Sequence, residues 1–206
     1  YDAFANIVHR YLRGRLIKTW SPASHTHEWL LKVFTLPESK NIKIFSAHPA
    51  INSLGVPVHT RFLAGTKEFK ATHFLPRENI IDIWRYGWNE EFNTVLPEGV
   101  NKVISKEGLG NKNIIWYVQP HFPWIYAKEL SKRLTKEMIK RNIPLEALIF
   151  EKRRRGEITQ EQIIINYILN LHVVLHSIAN LLKGLQNFKG KIVITTDHGE
   201  LLGEYG

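Results

Sequence analysis

The chain has 206 residues, with 28 lysines and arginines against 19 aspartates and glutamates, no cysteine, and a net charge of +9. That length suits one sizeable α/β domain and is short for two joined by a linker, while six tryptophans and ten phenylalanines exclude a disordered chain. The lack of cysteine excludes disulfides, thiolate metal sites and a cysteine-derived nucleophile, so any metal must be held by oxygen and imidazole. The positive charge favours anionic partners without choosing among phosphorylated or sulfated substrates, nucleic acid and anionic lipid.

In chain order, residues 1–12 place Phe4, Ile7, Val8, Tyr11 and Leu12 at helical spacing, and Gly14 punctuates the pattern. Leu16, Ile17 and Trp20 form a short buried-strand candidate that runs into the loop of residues 21–26. Residues 27–34 read as the following helix, with Thr26 or a neighbour as its N-cap and Glu28 in the first turn, where the helix dipole favours a carboxylate. Residues 41–46 form a second strand, and residues 47–78 show no sustained period and read as irregular.

Residues 97–106 predict a short helix, and residues 114–118 a strand buried on both faces that ends in the proline-rich loop 119–124 carrying His121. Between 127 and 155 two helical segments are broken at 142–144, and much of the positive charge lies here, including the Lys152-Arg153-Arg154-Arg155 run. Such a charged stretch reads as a solvated face, or alternatively as a surface that docks nucleic acid or another polyanion. Residues 159–186 carry the longest helical pattern, and no run reaches the roughly 18 to 20 uninterrupted apolar residues of a membrane span, so no transmembrane segment is expected.

Residues 191–196 then read as a β-branched strand delivering Asp197-His198-Gly199-Glu200 at its carboxyl end. Strands alternating with helices predict a mainly parallel sheet with helices on both faces, whose ligand crevice lies at the strands' carboxyl ends. Three polar clusters converge there in this reading: residues 24–26, His121, and Asp197 with His198. An adjacent Asp and His before a glycine present a carboxylate and an imidazole to one cation, although such a pair also caps helices. Ser24 and Thr26 are equally readable as helix caps, and His121 as a ring bonded to nearby backbone. The other histidines receive no role.

The segment Ile192-Val193-Ile194-Thr195-Thr196-Asp197-His198-Gly199-Glu200 and its continuation to Gly206 closely resembles the strand and turn of the alkaline phosphatase superfamily, especially its sulfatase-like branch. Residues 20–29, 117–124 and 167–175 are similar to archaeal sulfatase-like proteins, in the family's order. The resemblance implies a three-layer sandwich with a mainly parallel central sheet. It also implies a metal-dependent hydrolase or transferase acting on an anionic small-molecule or glycan ester of phosphate or sulfate.

Carried over residue by residue, the family pattern makes Asp197 and His198 metal ligands. Thr26, with Ser24 as alternate, becomes the metal-bound nucleophile. His121 contacts the substrate's anionic group or a second metal. Imidazole tilts the ion toward zinc or manganese, with magnesium and calcium still open. Family members also carry a metal-binding aspartate before the position of Tyr1 and a histidine after Gly206, so the resemblance implies a single but incomplete domain.

Overall fold

The structure, a computed structural model, describes residues 2–58, 68–200 and 202. The described elements are α1 (Asp2–Tyr11), α2 (Thr26–Phe34), β1 (Lys43–Ser46), β2 (Ile80–Asp82), α3 (Ile83–Tyr86), β3 (Trp88–Asn89) and β4 (Thr94–Val95). After these come α4 (Pro97–Glu107), β5 (Asn113–Trp116), α5 (Lys128–Arg141), α6 (Leu145–Arg154) and α7 (Gln160–Gly184). The fold is thus mixed α/β, with seven described helices around a small parallel sheet in the order β2-β1-β5.

Sequence chemistry explains most of the boundaries. Pro97 sits in the first turn of α4, where its missing N–H is no loss, and Gly108 ends that helix at φ +68°. Asn142 takes the left-handed conformation at φ 50° and its N–H reaches back to α5 carbonyls, so α5 stops there and Pro144 leads into α6. Thr159 and Gln162 form a reciprocal capping box at the start of α7.

The central strand β1 sorts the core. Its Ile44 pairs with Ile80 and Ile114, and its Phe45 with Ile81 and Ile115, so alternate side chains leave opposite faces. Ile44 packs with Leu30 and Phe34 of α2, one helical turn apart, and with Phe69 and Leu75 from the irregular segment. Phe45 packs on the other face with Val100 and Ile104 of α4 and Leu181 of α7. A third cluster joins Trp124, Leu134, Leu148, Ile158 and Ile163, which binds α5 and α6 to the start of α7. Burying each of these large side chains contributes about 1.5–3 kcal/mol.

Helix α7 has the length, and over one 18-residue window the mean hydropathy of 1.4, that a membrane span would also have. Here it packs against α1 and α4, and its buried polar residues Asn170 and Ser177 engage partners inside the fold.

Several expectations are corrected. Residues 16–20 form no strand, and Trp20 is 95 % exposed. Residues 191–196 are likewise without strand pairing, with Ile192, Val193 and Ile194 all exposed. β-Branched residues favour extended backbone, but a strand also needs a neighbour to satisfy its amides, and among the described residues β5 pairs only with β1. For the same reason β5 is half-buried rather than enclosed on both faces. Strand β2, the brief α3 and the β3-β4 pair were not foreseen. Of the stretch read as irregular, residues 59–67, including His59, lie outside the described residues, as do Leu201 and residues 203–206 of the turn segment.

Candidate functional site

The amino end of α2 is built by local polar chemistry. His25, not Thr26, is the N-cap: its Nδ1 accepts from the Glu28 amide at 3.4 Å, and Thr26 is the first helical residue. Glu28 reaches back to the Ser24 amide at 2.9 Å and accepts from the Ser24 hydroxyl at 3.3 Å. Lys32, one turn on, donates to Glu28 at 2.7 Å and to the Pro22 carbonyl at 2.7 Å. The Lys32 hydrogen bond, followed by that from Ser24, holds the Glu28 carboxyl down at about 2. Ser24 is therefore engaged with the helix it precedes, which leaves Thr26 free to face elsewhere.

Thr26 faces the segment that follows α7. Its hydroxyl donates to Asp197 Oδ2 at 2.6 Å and lies 3.3 Å from His198 Nε2, across more than 170 residues of sequence. Asp197 Oδ2 and His198 Nε2 are themselves 3.5 Å apart. The extended chain is fixed by the Ser21 hydroxyl, which donates to the Asp197 carbonyl, and by the Thr196 hydroxyl, which donates to the His198 carbonyl at 2.8 Å. The structure thus joins three of the residues that the sequence singled out. The Ser21 and Thr196 hydroxyl bonds hold a turn that has no paired strand beneath it.

His198 Nδ1 lies 2.6 Å from the Gly199 carbonyl, which can only accept, so Nδ1 carries a proton. This fixing of one ring nitrogen by a carbonyl is the usual arrangement behind a metal-bound imidazole. Ligands around a tetrahedral zinc stand roughly 3.3 Å apart at ordinary bond lengths; the 3.3 and 3.5 Å separations from His198 Nε2 are close to that, whereas the 2.6 Å from Thr26 Oγ1 to Asp197 Oδ2 is a hydrogen bond and shorter than such an edge. The atom types that converge, a carboxylate oxygen, an imidazole nitrogen and the Thr26 hydroxyl oxygen, are ones that a divalent cation accepts. Among the described residues no group of three or more His, Asp or Glu side chains forms a fuller ligand set.

His121 follows β5 in a loop with cis peptide bonds at Gln119-Pro120 and Phe122-Pro123. Asn170, wholly buried on α7, holds this loop: its Nδ2 lies within 3.2 Å of the Pro120, His121 and Pro123 carbonyls, and its Oδ1 accepts from the Ile125 amide at 2.9 Å. His48, two residues past the end of β1, was passed over by the sequence reading. Burial, then the nearby His121 and His27, push its pKa down to about 4, with Asp197 opposing. Burial, with His25 second, also lowers His27, whose Nε2 is buried without a hydrogen-bond partner. Burial raises the Tyr167 hydroxyl, with Glu200 and Asp197 adding to the shift.

His48 had one signal available in the sequence, since a histidine just past a buried strand of a parallel sheet stands where ligands bind. Asn170 had none, because a polar residue inside a long helical pattern reads as surface until packing is known.

The basic helices are extensively self-paired. Arg141 bonds Glu137 and Glu151, Lys152 bonds Glu137 and Glu157, Arg155 bonds Glu151, and Lys128 bonds Glu91.

Comparison with known proteins adds no relative: no protein-family model, no curated protein and no solved structure matches the chain.

Proposed function

We propose that the site transfers or hydrolyses a phosphate or sulfate ester through the Thr26 hydroxyl, as in the alkaline phosphatase and sulfatase superfamily that residues 192–206 resemble. The observation that carries this reading is the Thr26 hydroxyl held 2.6 Å from Asp197 Oδ2 and 3.3 Å from His198 Nε2. A nucleophilic hydroxyl needs a neighbour to take its proton and a fixed direction of attack, and this arrangement supplies both. Under the same reading the three parallel strands belong to a wider three-layer sandwich.

Asp197 Oδ2 accepts the proton as Thr26 Oγ1 bonds to phosphorus or sulfur, and Asp197 then passes that proton to the leaving ester oxygen, which departs as the alcohol. Water then breaks the new bond, releasing phosphate or sulfate and restoring the hydroxyl. A divalent cation bound by Asp197 and His198, zinc or manganese before magnesium or calcium, would lower the pKa of the hydroxyl. His121 binds the anionic group of the ester.

Hydrolysis of aryl phosphate and aryl sulfate esters, measured with zinc or manganese added, tests this. Turnover should fall at least about a hundredfold in Thr26→Val and in Asp197→Asn, the scale of losing a nucleophile or its partner. Turnover that persists in both variants would sink the assignment. Salt-sensitive binding of nucleic acid without any turnover would instead support a binder acting through the basic helices.

A further inference from the structure

We propose that His172 and His176 of α7 form a second cation site, separate from Asp197 and His198, that takes a borderline transition metal, copper(II) most tightly and nickel(II) or zinc less so. The proposal stands independently of the ester reading above.

The two imidazoles are four residues apart on one helix, so they leave the same face of α7, about 6 Å apart along its axis at 1.5 Å per residue. That spacing brings two ring nitrogens within reach of one cation, the reason paired helical histidines at i and i+4 serve as metal ligands. His172 is half-buried and His176 exposed, so the pair is open to solvent and needs no cavity.

Neighbouring polar groups set the ring nitrogens. Tyr11 of α1 lies edge-on to both rings, with its centroid 5.5 Å from that of His172 and 6.2 Å from that of His176. Its hydroxyl is 2.9 Å from His172 Nδ1. A hydroxyl both donates and accepts, so it can accept from the Nδ1–H of the tautomer whose Nε2 is open to a cation. His176 Nε2 lies 3.1 Å from Asn180 Nδ2, and Lys183 donates to Asn180 Oδ1 at 3.3 Å. The amide is thereby oriented with its N–H toward the ring, so His176 Nε2 accepts and carries a lone pair. This bond is exposed, and a cation that replaced it would leave the Asn180 amide to water.

The donor set decides the class of metal. Among the described residues no third His, Asp or Glu side chain joins the pair, so the site is two imidazoles with water completing the coordination. Imidazole suits copper, nickel and zinc, whereas magnesium and calcium take oxygen, and affinity for divalent ions peaks at copper.

Copper(II) titration of an Asp197→Ala/His198→Ala chain isolates the pair from the site described above. Zinc, which leaves spectra sharp, should shift the imidazole nitrogen-15 resonances of His172 and His176 together. The same paired shift should appear in the unaltered chain, so the result does not depend on how the double variant folds. His176→Ala, a change at an exposed position, should weaken copper binding at least about tenfold, since even an outer partner of a metal ligand is worth about 10–100-fold in affinity. Copper should also raise the thermal midpoint, because it binds only the folded helix, and that rise should disappear in His176→Ala. Copper binding unchanged in His176→Ala, zinc that shifts only one of the two rings, or no copper binding by the double variant would each overturn the proposal.

Discussion

Replacing Asn170 with aspartate should unfold the protein far more readily than its near-identical shape suggests. The side chain is fully buried, with Nδ2 within 3.2 Å of the carbonyls of Pro120, His121 and Pro123, while Oδ1 accepts from Ile125 N–H. Aspartate keeps the acceptor for Ile125 but turns an oxygen toward three carbonyl oxygens, so the two protons of the amide are lost and like partial charges face one another. Each buried polar group left unsatisfied costs about 1–3 kcal/mol, so the expected loss is about 3–5 kcal/mol. With a urea slope of about 2.5 kcal/mol per molar, the unfolding midpoint should drop by about 1–2 M. The loss should shrink at low pH, where a protonated carboxyl regains one donor. Equilibrium urea unfolding followed by tryptophan fluorescence measures it. A loss below about 1 kcal/mol would refute the reasoning that these bonds hold the His121 loop.

Three further outcomes follow from the same physics. The pKa of His48 is lowered from 6.5 to about 4 in the folded protein, so its contribution to stability is intact above pH 6.5 and is lost as pH falls toward 4, by about 3 kcal/mol at full extent. The difference in unfolding free energy between wild type and His48→Gln across that interval checks it, and a pH-independent difference counts against a buried neutral ring. Thr159→Ala removes the side-chain half of the α7 capping box and should cost about 1 kcal/mol, read from thermal melts with Gln162 left in place. Asp197→Ala should weaken zinc binding measured by calorimetry at least about tenfold while leaving helix content by circular dichroism unchanged, because Asp197 lies outside the described helices and strands.

What the sequence determined by itself was local. Periodicity, proline and asparagine placed α1, α2, α4, α5, α6, α7 and β1 nearly where they stand, because each answers to residues within a turn or two of itself. The same local reading named Thr26, Asp197, His198 and His121 as candidates. Only the tertiary structure showed the partners of the two hydroxyls, with Thr26 bonded to Asp197 and Ser24 to Glu28.

Tertiary context likewise decided that residues 191–196, strand-like in composition, stand unpaired, since pairing depends on a neighbour that no local pattern reports. The surroundings of His48 and Asn170 were hidden for the same reason. The burial that holds one ring neutral and the carbonyls that surround one amide are assembled from residues dozens of positions away in the chain.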